Sequence, residues 1–388
     1  VPPLVIYAAF RYNALGPDYF ITTNAYSFFN PIAVMDFWPG LWAAFNVLYL
    51  YVQKTIFPTY FSSDYSYNQI AAVRNLFDSW QAVAGAAIFA AAICASIAGR
   101  KNLVGLGAVI FLFPYLVISN LFVKTGTIMA ERLMYMPSLG LIVIVAVLLN
   151  YLLEKGPVVK RLIYTGLIVI LGIYGLQVVK GNTLWKNEKT LFENAYEHAP
   201  NSVVNITNMA GILFKEGKNK EALEKIETAL GIEPKNGPTL HLGGQIYKQM
   251  ENNKIAEEYW QKAIAAQPDY LHSYLSLGAL YYQTGDFKSG EEILLKAKEM
   301  YDTPNVITLL AFNQIGLGKY SEAIDIIKIK FGEKPREYEL RFVLGVAYLK
   351  SSDGSMAREL LMELKDPSIT EDAFLQNLKN TKIFSVGI

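Results

Sequence analysis

Residues 237–270 read GPTLHLGGQIYKQMENNKIAEEYWQKAIAAQPDY, and residues 271–304 read LHSYLSLGALYYQTGDFKSGEEILLKAKEMYDTP. Laid over one another they agree at a period of 34, and the register extends to stretches beginning near Val203, Pro304 and Tyr338. Small residues recur at the eighth position (Ala210, Gly244, Gly278, Ala311, Gly345) and at the twentieth (Ala222, Ala256, Gly290, Ala323, Ala357). The eleventh position is bulky in Leu213, Tyr247, Tyr281 and Tyr348, with Gln314 as the exception. Pro234, Pro268 and Pro335 close three of the units. Small residues let two helices cross closely, a bulky one fills the space beside them, and proline stops the second helix.

This is the tetratricopeptide pattern, an array of helical pairs that stack into a superhelix with a concave groove. First-helix positions that usually face the groove hold Thr207, Lys215, His241, Gln245, Lys248, His272, Tyr282 and Gln283. Their mixed polar and aromatic character suits an extended peptide of a partner or acceptor protein. A solvated array serving as a spacer is the alternative.

The chain changes character near Gly181. Upstream it is apolar, with 11 Lys and Arg against 6 Asp and Glu in residues 1–180; the remainder has 24 against 28. No dense basic face marks it for nucleic acid. Apolar runs at about 80–99, 103–123, 138–153 and 162–180 approach the roughly 20 residues needed to span a bilayer. Arg100-Lys101 occupies one short connection, and Lys155, Lys160 and Arg161 another, so both are expected on the cytoplasmic side. The loop from Lys124 to Pro137 and everything after Lys180 then face outward. Residues 38–57 are long enough to span marginally, but lack basic flanks and carry Trp and Tyr at both ends; a re-entrant or interfacial helix is the preferred reading.

The outward loops hold the polar residues of interest. One carries Asp64, Tyr65 and Asn68; the other carries Glu131, Arg132 and Tyr135. Charges beside membrane spans mark functional sites by default. Arg132 offers a permanent charge and five fixed donors, suited to phosphate. A surface ion pair with a tyrosine anchor explains the same residues without function. His198, His241 and His272 lack metal-ligand spacing, so no metal is expected. Cys94 is the lone cysteine. Asn205-Ile206-Thr207 is a glycosylation sequon lying inside a repeat helix, and is read as chance.

Asn30-Pro-Ile-Ala33, Asp36-Phe-Trp38, the stretch Asp64 to Ile70 and the stretch Glu131 to Gly140, followed by repeats, resemble the transmembrane and tetratricopeptide-repeat protein O-mannosyltransferases and their bacterial relatives. Trp185, Glu188 and Thr190-Leu-Phe192 are similar to that family's membrane-to-repeat junction. The scarcity of cysteine fits a bacterial member weakly. The resemblance implies an all-α fold: the C-terminal part of a class C glycosyltransferase helix bundle followed by a tetratricopeptide superhelix. Expected segments are a membrane domain over 1–181, a junction helix over 182–202, about five repeats over 203–365 and a cap over 366–388. The implied reaction moves a sugar, mannose by the resemblance, from a polyprenyl- or dolichyl-phosphate donor to Ser or Thr of acceptor proteins outside the cytoplasm. No separate cofactor is implied.

The family's catalytic aspartate lies in an earlier outward loop. Val1-Pro2-Pro3 reads as an internal start, so this stretch is expected to lack that residue and to be catalytically incompetent alone. Arg132 is expected to stabilise the donor phosphate, with Glu131, Tyr135, Asp64, Tyr65 and Asn68 lining the cavity. A lipid-linked glycan ligase or polymerase, and a non-enzymatic membrane-anchored scaffold, are the alternative readings.

Overall fold

A computed structural model describes residues 29–362, apart from 59–61, 63, 71–72, 122–125 and 352. The expected cap over 366–388 and the N-terminal stretch around Arg11 lie outside the described residues. Sixteen α-helices and no strand occur among the described residues, so the fold class is all-α. The chain divides into two compact units: residues 1–216 with 231–233, and residues 217–230 with 234–388.

The first unit contains α1 (Phe37–Ile56), α2 (Trp80–Ala98), α3 (Leu103–Ile118), α4 (Tyr135–Leu153), α5 (Pro157–Leu184), α6 (Glu188–His198) and α7 (Val203–Lys215). Short 3-10 turns at Pro31–Val34 and Glu131–Met134 precede α1 and α4. Three segments are long and apolar enough to cross a membrane: Trp80–Ala98, Glu131–Leu153 and Pro157–Leu184; α3 is apolar but shorter. The fourth apolar run of the sequence is therefore longer than expected. It starts at Pro157, whose fixed φ suits a first helical turn, and runs unbroken to Leu184.

α3 and α4 touch through their backbones. A Cβ on Gly140 would meet the Gly107 carbonyl oxygen at 2.3 Å. Such small-residue crossings give close packing where apolar surroundings supply no hydrophobic drive between helices. Phe111 and Tyr115 stack on the buried side of α3, with Tyr51 of α1 edge-on to Tyr115.

The chain enters and leaves α1 at one end of this bundle. Before the helix, the Asn30 amide donates to Asn120 Oδ1 at 2.8 Å. After most of it, Lys54 pairs with Glu131. Asn120 and Glu131 flank the single α3–α4 connection. The segment just before α1 and the last turn of α1 thus both contact residues flanking the α3–α4 connection.

The second unit contains α8 (Asn219–Ile232) up to Leu230, α9 (Gly237–Gln249), α10 (Asn253–Ala266), α11 (Leu271–Thr284), α12 (Phe287–Met300), α13 (Pro304–Gly316), α14 (Tyr320–Phe331), α15 (Tyr338–Lys350) and α16 (Gly354–Leu361). Asn236, Asn252, Asp286 and Asp353 cap α9, α10, α12 and α16 with side-chain acceptors, satisfying amides that have no partner within the helix. Within the pairs, the small residues of the repeat lie where neighbouring side chains press closest. Trp260 of α10 covers Gly244 and donates its indole N–H to the His241 carbonyl at 3.1 Å.

Candidate functional site

A pocket of about 320 Å³ opens at the end of the first unit where α1 finishes and α4 begins. Its lining includes Tyr51, Lys54, Glu131, Arg132, Tyr135 and Tyr174. Local folding explains the grouping. The 3-10 turn places Glu131 and Arg132 next to each other just ahead of α4, one inward and one outward. α1 brings Lys54 in its last turn. α5 contributes Tyr174, whose hydroxyl donates to the carbonyls that end α1.

Glu131 is held from two sides. The Tyr65 hydroxyl donates to its Oε1, and Lys54 Nζ lies 3.8 Å from the same oxygen. Lys54 also stands 5.0 Å above the Tyr65 ring, close enough for a cation–π contribution. Tyr65 itself is buried and accepts the Ser62 N–H. Arg132 is exposed and makes no ion pair among the described residues. Among the described residues the pocket thus has a Lys–Glu pair on one wall and a guanidinium without an acidic partner beside it. Tyr135 is exposed next to them. This arrangement can bind an anion at an apolar, tyrosine-lined mouth.

Of the residues expected at the site, Glu131, Arg132 and Tyr135 line the pocket directly, and Tyr65 supports it through Glu131. Asp64 and Asn68 turn the other way. Asp64 Oδ1 accepts from the Ser66 amide at 2.8 Å and from Ser202 Oγ at 2.9 Å, and Asn68 N–H donates to the Asn201 carbonyl at 3.0 Å. They dock the loop on the start of α7. Lys54 and Tyr174 were not singled out from the sequence. A lone lysine in an apolar helix was a usable signal; Tyr174 carried none.

The groove residues separate by environment. Gln245, His272 and Gln283 are exposed, and Lys248 is half-buried with its amine on Asn253 Oδ1. His241 and Tyr282 do not open into a groove as expected but are buried. His241 is enclosed by Trp260, Tyr270 and His272, and Tyr282 packs on Phe287 and Phe312. Large rings on the adjacent helices cover both positions. Thr207 and Lys215 belong to the first unit, where Thr207 bonds its own helix and Lys215 pairs with Glu188. Asn205 of the sequon is fully buried, its amide donating to the carbonyls of Ala195 and Ala199.

The tetratricopeptide repeat family model matches residues 239–270 and 271–303. Protein O-mannosyl-transferase TMTC1 from Mus musculus is 30% identical over 152 residues, covering 38% of this chain and 16% of that protein. TMTC1 from Homo sapiens is 28% identical over 224 residues, covering 55% and 24%; human TMTC4 is 27% identical over 232 residues, covering 56% and 30%. The chain is a relative of the TMTC protein O-mannosyl-transferases. It spans under a third of the length of each of these relatives. They are animal proteins and lend no weight to a bacterial origin. Among solved structures, a tetratricopeptide repeat protein from Parabacteroides merdae aligns with TM-score 0.40 and 19% identity, covering 60% of this chain and 84% of that one. YrrB, a repeat protein with an unusual peptide-binding site, aligns with TM-score 0.38 and 18% identity, covering 50% and 94%.

Proposed function

We propose that this TMTC relative forms the donor-phosphate side of a membrane protein O-mannosyltransferase. The observation that carries the reading is the pocket that sets the Arg132 guanidinium, without an ion pair among the described residues, beside the Lys54–Glu131 pair, on a unit with apolar membrane-length helices. A polyprenyl- or dolichyl-phosphate sugar is an activated glycosyl donor. The acceptor Ser or Thr oxygen bonds to the anomeric carbon while the bond from that carbon to the phosphate oxygen breaks. The hydroxyl proton passes to a carboxylate base. Negative charge grows on the departing phosphate, and a preplaced Arg132 stabilises it. Glu131 is committed to Lys54 and Tyr65, so it orients the site. Tyr135 supports the donor at the pocket mouth, and Tyr65 acts through Glu131. The repeats hold an acceptor protein near the membrane through Gln245, Lys248, His272 and Gln283, raising its local concentration. The pocket and these repeats are read on the non-cytoplasmic side, from the basic loops alone.

The test is reconstitution of the protein in its full natural length with radiolabelled polyprenyl-phosphate mannose and acceptor proteins. Label on protein, lowered about 10²–10³-fold by Arg132→Ala, is the expected result. Transfer undiminished in that variant sinks the assignment of Arg132. Label on lipid glycan in place of protein moves the chain to the ligase class.

A further inference from the structure

Asp64 and Tyr65 are neighbours in sequence that serve opposite partners. Tyr65 reaches the pocket, where its hydroxyl donates to Glu131. Asp64 reaches α7, where Oδ1 accepts from Ser202 Oγ at 2.9 Å and its carbonyl accepts the Asn205 amide at 3.2 Å. Ser202 is also the N-cap of α7, accepting the Asn205 backbone N–H. Main-chain bonds reinforce the docking: Val203 N–H to the Tyr67 carbonyl at 2.7 Å, and Asn68 N–H to the Asn201 carbonyl at 3.0 Å. Ser66 is buried, with its hydroxyl shared between Asp64 and Ser202. The loop is therefore pinned on both faces: Ser202 holds Asp64, the adjoining Tyr65 holds Glu131, and Glu131 meets Lys54, the two sets of polar contacts being joined through the Asp64–Tyr65 backbone.

We infer that this loop is a positioning device, with Asp64 and Ser202 as positioning residues for Glu131. The start of the first repeat helix sets the angle of Tyr65, and Tyr65 sets where the Glu131 carboxylate stands beside Arg132. A short backbone segment held by polar contacts at both ends couples distant groups when both ends bias it. Displacing α7 shifts the balance of charge in the pocket without touching any residue that lines it. The consequence for sugar transfer rests on the pocket reading above; the mechanical coupling does not.

Hydrogen exchange on the full chain in lipid nanodiscs tests it, with variants Ser202→Ala, Asp64→Asn and Tyr65→Phe. Asp64→Asn keeps the side-chain shape and guards against a folding artefact. Ser202→Ala and Asp64→Asn should speed exchange about tenfold or more at 62–70, at 201–205 and at 130–134. Tyr65→Phe should speed it at 130–134 alone. Ser202→Thr, which keeps the hydroxyl, should restore the wild-type pattern. Unchanged exchange at 130–134 in Ser202→Ala and Asp64→Asn overturns the proposal, whether or not the loop itself loosens. Binding of a short-chain polyprenyl phosphate to the same samples separates the two readings. No binding by wild type counts against the pocket assignment, while the exchange pattern still decides the coupling.

Discussion

The Tyr174 hydroxyl of α5 donates to the Ile56 carbonyl of α1 at 2.6 Å, and to the Thr55 carbonyl at 3.2 Å. α5 has no fully buried residue along its length, so this tie adds to the few contacts that hold a largely exposed helix. It also forms one wall of the pocket. Tyr174→Phe removes the bond with little change of volume and should lower stability by about 1 kcal/mol. The proposed donor should bind several-fold more weakly to the loosened wall. Titration of a short-chain polyprenyl phosphate into detergent-solubilised protein, beside a thermal melt, measures both effects.

Lys54 and Glu131 are mostly shielded from solvent, at 12% and 22% side-chain exposure. Lys54→Met leaves the Glu131 carboxylate without its cation, and should destabilise the first unit by roughly 1–3 kcal/mol. The double variant Lys54→Met with Glu131→Gln removes the stranded charge as well. It should recover most of that loss, giving a clear coupling energy in a double-mutant cycle. Additive single effects in the melts would show the pair to be idle.

Gly244 lies under the Trp260 indole; a Cβ there would meet Nε1 at 2.4 Å. Gly244→Ala therefore overpacks the α9–α10 crossing, and should destabilise by about 1–3 kcal/mol. Urea unfolding of the repeat helices followed by far-ultraviolet circular dichroism reads this directly. Gly231→Ala meets nothing within 4 Å, and serves as the control expected to be neutral or slightly stabilising.

Burial, with a smaller contribution from the nearby His272, pushes the His241 imidazole down to about 4. The folded chain therefore keeps His241 neutral while an unfolded one protonates it near 6.5. Stability from this residue is whole above pH 6.5 and falls as pH drops from there towards 4. The loss is of order 2–3 kcal/mol at the acid end. His241→Gln should flatten the difference between urea midpoints at pH 7 and pH 4.5. An equal acid loss in variant and wild type would remove His241 from the account.

The repeat helices were legible because their period is local: Gly244, Gly278 and Gly345 each announce a crossing within one unit. The apolar runs were legible for the same reason, since length and hydropathy are read along the chain. What stayed hidden depends on contacts between distant residues. Ser202 meets Asp64 and Tyr174 meets Ile56, and no spacing rule connects either pair. His241 and Tyr282 show a different limit. The register gave their position in the repeat correctly, but rings from adjacent helices cover them. Gln314, the break at the eleventh position, is buried and donates to Glu291, which also pairs with Lys319. A polar cluster takes the place of the aromatic there.

The unbroken course of α5 serves as a depth gauge. Tyr174 and Val178, which line the pocket, lie about 26 to 32 Å along the helix from Pro157 at 1.5 Å per residue. Hydrocarbon is about 30 Å thick, and the proposed orientation sets Lys155, Lys160 and Arg161 at its starting side. On the membrane placement proposed above, the pocket would lie towards the headgroups of the opposite leaflet. If the proposed donor reading holds, a lipid phosphate arriving sideways would approach Arg132 from the headgroup side, without its charge crossing the hydrocarbon.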